Sequence, residues 1–336
     1  MDATDRGAIP RDFLNMDSKI ALIVCYFGKL PNYFRLTERT MGANPTIEWI
    51  IFGDQLPESN YPNVRMIPLS LNDYLNKVNK ITGILPKNPT IYNLYNLKPL
   101  YGKIFEEYLK SYHYWGNTDL DILFGNLRKF LPEATLSEYD QIFARGHLVL
   151  YRNTPNVNEA YKLTSPNAVQ FLDLLTDFNN PKHHQFDEWR GIHRILRHHG
   201  FRQYHKEVMA DIVPPLRFRI GYFRTGNLPN YSKQIFYWHL GKTYRAYLNN
   251  EGGIIDEEVA YIHLQKRKFS SPPNTILNSR GMGTGPRGFF PYDREPLSID
   301  DFDRLNANDL KPWKSILYDE YQRIIKKIQK IIQLMQ

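Results

Sequence analysis

Cysteine is nearly absent: Cys25 is the only one in 336 residues. A single thiol closes no internal disulfide, so packing must hold the fold, and a reducing compartment is expected with Cys25 in a structural role. Long apolar runs are missing as well. None approaches the ~20 residues a membrane-crossing helix needs, and the N-terminus lacks a secretory apolar core. Met1 to Asn15 (MDATDRGAIPRDFLN) is polar and aperiodic, and a second methionine, Met16, follows it. Residues 1–15 are therefore set apart as a disordered or expression-derived extension. There is no internal repeat and no low-complexity tract. His183, His184, His193, His198 and His199 lack cysteine partners and HExxH spacing, which argues against zinc. A basic helix near an acceptor or membrane surface is the better account of that segment. Nor is there an RNP-like aromatic strand or a basic recognition helix, so nucleic-acid binding is not expected.

Charge and aromatic rings are plentiful. Lys and Arg outnumber Asp and Glu by 43 to 35, for a net charge of +8. Such a surface attracts anions, among them nucleotide phosphates and anionic lipid. The 23 Tyr and 19 Phe suit surfaces that grip sugars or bases, although an ordinary core is the plainer account of them.

The chain length allows a large core in one or two domains. Lys19 to Phe27 (KIALIVCYF) reads as a buried parallel strand closed by Gly28. A helix over 32–41, strands over 46–52 and 64–68 and a helix over 71–79 follow, which predicts an α/β sheet. Residues 97–111 read as one helix with Pro99 in its first turn. Tyr139 to Tyr151 reads as one or two strands, and 167–178 and 188–199 as helices, the second capped by Asp187. Ile235 to Leu240 and Val259 to Leu264 are strand-like. The Gly- and Pro-rich stretch 270–291 is expected to be a long loop or lid, and 309–336 a helix.

One stretch breaks the pattern. HYWGNTDLDILFGN (113–126) sets Asp119 and Asp121 between an aromatic entry and an apolar exit, where a strand would avoid aspartate. On an extended backbone, residues i and i+2 point the same way, so both carboxylates can face one point. Paired hard oxygen donors suit Mg²⁺ or Mn²⁺ with phosphate oxygens completing the shell. Turn-capping aspartates are the plainer alternative.

Several segments, in this order, carry a family resemblance: KIALIVCYFGKLPNYF (19–34), LKPLYG (97–102), WGNTDLDILFGNL (115–127), RGHLVLYRNT (145–154), FDEWRG (186–191) and YIHLQKRKF (261–269). Together they resemble GT-A-type glycosyltransferases, and more narrowly bacterial DxD-containing proteins of surface polysaccharide (capsule or O-antigen) synthesis. The resemblance implies a GT-A-like, Rossmann-type mixed α/β sheet flanked by helices over 16–270. A lid loop and an amphipathic helix would follow over 271–336. It gives Asp119 and Asp121 the metal-binding role, with Asp121 favoured as the direct ligand, and Mn²⁺ or Mg²⁺ as cofactor. His263 is implied as a third ligand, and a histidine packed in a strand is the open alternative. Lys266 and Arg267, with Lys268, would neutralise the diphosphate leaving group unless they form a solvated turn. Tyr26, Phe27 and Gly28 would meet the nucleotide, with Asp54 as a base contact or a turn former.

Lys98 would approach a phosphate. Where the family pattern has an Asp two residues earlier, this chain has Asn96, which puts a charged contact there in doubt. Asp187 and Glu188 would supply the base of an inverting transfer, Asp187 slightly ahead, with helix capping as the alternative. A retaining transfer would need no such base. The implied partners are a UDP-sugar donor, with a galactose-type sugar, and a glycan or lipid-linked glycan acceptor. Lys326, Lys327 and Lys330, set among isoleucines, could rest the C-terminal helix on an anionic membrane, or that helix could pack on the domain or a partner. The expected location is cytoplasmic, peripheral on the inner face of the cell membrane. The alternatives are a sugar-nucleotide nucleotidyltransferase, disfavoured because CYFGKLPNYF has only Gly28 for a phosphate loop, and a non-catalytic glycan- or nucleic-acid-binding protein.

Overall fold

The computed structural model describes residues 18–86, 91–171, 185–212, 220, 231, 234–249, 251–265, 269–285, 288–293 and 297–306. In chain order the strands are β1 (Ile20–Tyr26), β2 (Ile47–Gly53), β3 (Val64–Pro68), β4 (Tyr114–Thr118), β5 (Ile122–Phe124), β6 (Gln141–Arg145), β7 (Leu148–Arg152) and β8 (Gln203–Tyr204). They continue with β9 (Ala210–Asp211), β10 (Gln234–His239), β11 (Lys242–Leu248), β12 (Ile254–Val259), β13 (Tyr261–His263), β14 (Gly281–Gly285) and β15 (Gly288–Pro291). The main longer helices are α1 (Phe34–Gly42) and α2 (Leu71–Thr82). Among the described residues no helix is long and apolar enough to cross a membrane.

The chain divides into two compact units. The first comprises Met1–Leu30, Asn44–Leu120 and Leu127–Glu207; the second comprises Pro31–Ala43, Asp121–Asn126 and Val208–Gln336. The first is the expected mixed α/β layer, a sheet ordered β3-β2-β1-β4-β7-β6-β8. β3, β2, β1 and β4 run parallel, and β7 is antiparallel to β4 and β6. Ile20, Ala21, Leu22, Ile23 and Val24 are all buried, as a strand covered on both faces requires. Tyr74, Leu75 and Val78 of α2 pack with Ile23, Ile50 and Phe52 in one apolar cluster. Each such side chain contributes about 1.5–3 kcal/mol when fully buried. α2 is capped by Ser70, whose Oγ accepts from the Asp73 N–H at 3.1 Å, and ends on Gly83 in the left-handed region.

The second unit holds a five-stranded antiparallel sheet, β12-β11-β10-β14-β15, and a three-stranded sheet, β5-β13-β9. α1 grips its own unit. Arg39 donates to the carbonyls of Ile276, Leu277 and Ser279 and lies 4.8 Å from the Trp238 ring. Thr40 Oγ1 accepts from the Phe124 N–H at 3.0 Å, anchoring the end of β5.

Three expectations are corrected. The helix over 97–111 is broken into a 3-10 turn, Lys98–Leu100, and short helices Tyr101–Ile104 and Glu106–Leu109, with the interruption at Phe105 (φ −117°, ψ 25°). The Gly- and Pro-rich stretch is not a plain loop: it contains the helical turn Asn274–Leu277 and strands β14 and β15. A Cβ on Gly283 would lie 2.0 Å from the Phe290 ring, so the glycines make room for aromatic rings against the backbone. Asp187 caps no helix, because the helix that follows runs Ile192–His198 with Gly191 at its N-cap and no side-chain cap. The extension 1–15, most of 167–178, and 309–336 lie outside the described residues.

The helix Ile192–His198 buries His193, whose Nδ1 meets Gln141 Oε1 at 3.0 Å and whose Nε2 meets Arg197 at 3.1 Å. Burial, then the charges of His205, Arg197 and Arg194, lower its pKa from 6.5 to about 3. Below about pH 6.5 the unfolded chain therefore binds a proton that the folded chain refuses. Stability from this group is complete above that pH and falls as pH drops towards 3, by about 1.4 kcal/mol per unit. Urea midpoints are expected to decline from about pH 6.5 to about pH 4, and less steeply in His193→Gln. Equal slopes in the two proteins would show that His193 is not the cause.

Candidate functional site

In the first unit β2 and β3 lie on one side of β1 and β4 on the other, so strand order reverses between β1 and β4. Ligands of open α/β sheets bind beyond the carboxyl ends of the strands at such a point. β1 exits there through Tyr26, Phe27 and Gly28. Gly28 adopts φ +95°, and its N–H donates to Asp54 Oδ1 at 2.7 Å, tying the exits of β1 and β2 together. Gly53 fits because a Cβ would stand 2.2 Å from the Tyr26 carbonyl oxygen. Phe27 turns inward, its ring 5.5 Å from that of Tyr74. Burial pushes the Cys25 thiol up to about 12, leaving an inert structural side chain.

β4 delivers Asp119 to the same edge. Trp115 beds against Gly102, where a Cβ would lie 2.6 Å from the indole, and its Nε1 donates to Asn158 Oδ1 at 2.6 Å. Beyond Thr118 the strand ends, so the aspartates do not sit on one extended segment. They flank a bend at which Leu120 is buried.

Asp119 is held by its backbone N–H, which donates to His147 O at 3.1 Å, and by Lys98 Nζ, 2.7 Å from its Oδ1. Lys98 is 4% exposed, and Nζ also donates to Gly146 O at 2.8 Å and stands 3.8 Å from Asp187 Oδ2. Burial opposes its charge, but Asp119 and Asp187 outweigh burial and raise its pKa. The ammonium is thus enclosed by protein oxygens rather than presented to solvent.

Asp187 is 9% exposed. Burial raises its pKa from 3.8 to about 7, against the pull of Lys98 and with the help of Glu188 and Asp119. A carboxylate that titrates near neutrality can accept a proton from a hydroxyl. Its position is set from three sides. Asn96 Oδ1 accepts the Phe186 N–H at 2.7 Å, Lys98 reaches its carboxylate, and Gly146 leaves the space it fills, since a Cβ there would lie 2.6 Å from Asp187 Oδ2. Asn96, where a charged residue was expected, is therefore a buried support of the 186–188 segment. Gln185, two residues before Asp187, has a positive φ of 54°.

In the second unit β13 pairs antiparallel to β5 and parallel to β9, with His263 opposite Ile122 on one side and Asp211 on the other. The Leu264 N–H donates to the Asp121 carbonyl at 2.8 Å, and the Ile212 N–H to the His263 carbonyl at 3.0 Å. This register sets the His263 imidazole between two carboxylates. Nδ1 is 2.7 Å from Asp211 Oδ1, and Nε2 is 3.3 Å from Asp121 Oδ1. Gln265 Nε2 also donates to Asp211. Burial lowers the imidazole pKa, but Asp121 and Asp211 prevail and hold it up to about 10.

The structure therefore brings Asp121 to His263, and Asp119 and Asp187 to Lys98. It ties Asp54 to Gly28 and turns Phe27 into the core. Lys266, Arg267 and Lys268 lie outside the described residues. Asp211 was missed, although an acid within the apolar run VMADIV is the same kind of anomaly as Asp-Leu-Asp.

A model of a family of unknown function (DUF6625) matches residues 22–292, and the chain belongs to that family. No curated protein sequence matches it. Solved structures similar to it include the galactosyltransferase LgtC in complex with donor and acceptor sugar analogs, at 12% identity over 58% of this chain and 76% of that one (TM-score 0.33). GlyE of Streptococcus pneumoniae TIGR4, a glycosyltransferase, is 14% identical over 57% of this chain and 46% of its own length (TM-score 0.32). Mouse xyloside xylosyltransferase 1 is 9% identical over 59% and 89% (TM-score 0.36). Overlaps this loose carry no argument about activity.

Proposed function

We propose that the chain is a metal-dependent glycosyltransferase that moves a sugar from a nucleoside-diphosphate donor to a glycan or lipid-linked glycan acceptor. The observation that carries this reading is His263 between Asp121 and Asp211, with Asp121 the second aspartate of Asp-Leu-Asp. The donor set fits a divalent cation. Asp211 fixes the Nδ1–H tautomer once the imidazole gives up its second proton, which leaves Nε2 and the Asp121 carboxylate as ligands. Oxygen with one imidazole suits Mn²⁺, and Mg²⁺ where waters complete the shell. The ion would supply charge to the donor diphosphate as the sugar leaves it.

The remaining roles belong to side chains. Asp119, first of the motif, would share the metal-binding role, oriented by Lys98. Lys266 and Arg267, which follow His263 in the chain, take the role of neutralising the leaving diphosphate. The exits of β1 and β2, joined through Gly28 and Asp54 beside Tyr26, receive the nucleotide. Asp187, with Glu188 as the alternative, takes the proton from the attacking hydroxyl in an inverting transfer. UDP with a galactose-type sugar, an acceptor in bacterial surface polysaccharide, and a cytoplasmic setting complete the reading.

The test is thermal unfolding with a panel of nucleoside diphosphates, with and without Mn²⁺. One nucleotide is expected to raise Tm only when the metal is present, since a ligand at about a hundred times its Kd stabilises by about 2.7 kcal/mol. If no nucleotide raises Tm with either Mn²⁺ or Mg²⁺, the donor site is not there.

A further inference from the structure

The segment from Trp189 to Lys206 has no place in the proposed chemistry. It contains no carboxylate, and Arg190, Arg194, Arg197, His198, Arg202 and Lys206 are all exposed. The helix Ile192–His198 separates its faces cleanly. Ile192, His193, Ile195 and Leu196 are buried, while Arg194, Arg197 and His198 face solvent. Of the arginines, and among the described residues, only Arg202 is near an acid, with Nε 3.9 Å from Asp140 Oδ2. Arg194 spends one N–H on the Asn167 carbonyl, and Arg197 one on His193. None of these bonds cancels a charge. An exposed run of like charges of this kind costs stability through self-repulsion unless an anionic partner offsets it.

We infer that this face docks on an anionic lipid surface, with phosphate headgroups as the partner. The aromatic side chains decide against a base-stacking or sugar-stacking partner. Trp189, Phe201 and Tyr204 are half-buried, Trp189 against His193 and His205 at 4.2 and 5.3 Å and Tyr204 against Tyr139 at 5.3 Å. Among the described residues between 189 and 206 no Phe, Tyr or Trp is exposed, and the exposed rings are the imidazoles of His198 and His199, set edge to face 5.1 Å apart. Guanidinium and ammonium groups with no Phe, Tyr or Trp platform suit a plane of headgroups, each adding to binding within a Debye length of it. The inference does not depend on the transfer chemistry.

The experiment is sedimentation of the full chain with vesicles of phosphatidylcholine alone or mixed with phosphatidylglycerol. The protein is expected to pellet with the anionic vesicles and to be released by about 0.5 M salt. The triple variant Arg190→Glu, Arg194→Glu, Lys206→Glu is expected to weaken binding by about a hundredfold, from about fivefold per side chain. The same three positions changed to Gln, which adds no repulsion, provide a second variant if the first does not fold. Equal pelleting with neutral and anionic vesicles overturns the inference, as does wild-type binding by a folded triple variant. Displacement by a DNA duplex binding more tightly than the vesicles also overturns it, because the partner would then be a nucleic acid.

Discussion

Asp121→Asn is expected to lower Mn²⁺ affinity in the presence of the bound nucleotide by more than about a hundredfold, whereas Asp211→Asn lowers it by about ten- to a hundredfold. Both residues touch the same imidazole, from opposite nitrogens. Asp121 is on the Nε2 side, where its oxygen and the nitrogen can share an ion. Asp211 is 3% exposed and already engaged by Nδ1 and by Gln265, so on the proposed reading it would act on an ion through the ring it orients. Removing the Asp121 charge would replace a carboxylate ligand by a weaker neutral amide oxygen, while removing that of Asp211 would leave the ligands present but poorly aimed. His263→Ala should match Asp121→Asn rather than Asp211→Asn. Electron paramagnetic resonance of free Mn²⁺ measures all three titrations. Wild-type Mn²⁺ affinity in Asp121→Asn would end the metal reading. Equal losses in Asp121→Asn and Asp211→Asn would make Asp211 a ligand as well.

Local patterns in the sequence account for much of this arrangement. The apolar run 20–26 lies inside the sheet, between β2 and β4, where a strand is covered on both faces. Asp119 and Asp121 stood out because aspartate in an apolar run needs a reason. What stayed hidden depends on partners distant in sequence. Asp211 meets His263 across a separation of 52 residues, through a strand pair of two residues, and no spacing rule foretells that. Asn96 serves Phe186 across 90 residues. The helical pattern of 97–111 was real on its apolar face, yet the chain breaks at Phe105, whose ring stacks on Phe52 at 4.0 Å. The glycines of β14 read as loop formers because the rings that cover them belong to a neighbouring strand.

Asp187→Asn separates chemistry from stability, because the same burial that would equip the carboxylate as a base makes its charge costly. Its pKa in the folded chain is about 7, against an ordinary 3.8. Between those values the folded chain keeps a proton that the unfolded chain has released, so stability falls as pH rises through that window. The variant has no proton to lose. It is therefore expected to unfold no earlier than wild type at about pH 8, with the difference shrinking towards about pH 4. Transfer should fall by about 10²- to 10⁴-fold, the usual worth of a positioned base, with nucleotide and metal affinity unchanged. In the wild type kcat/KM should climb about tenfold per pH unit up to about 7 and then level off, as a base that must be ionised requires. Glu188 is the control, since it also lies against Gly146, with its Cγ 3.1 Å from where a Cβ would stand. Glu188→Gln should keep most of the activity and the same pH profile. Should Glu188→Gln lose transfer while Asp187→Asn retains it, the base is Glu188, and Asp187 serves only to hold Lys98. Full transfer in both variants leaves the acceptor proton with neither acid, and an inverting transfer through this segment is then ruled out.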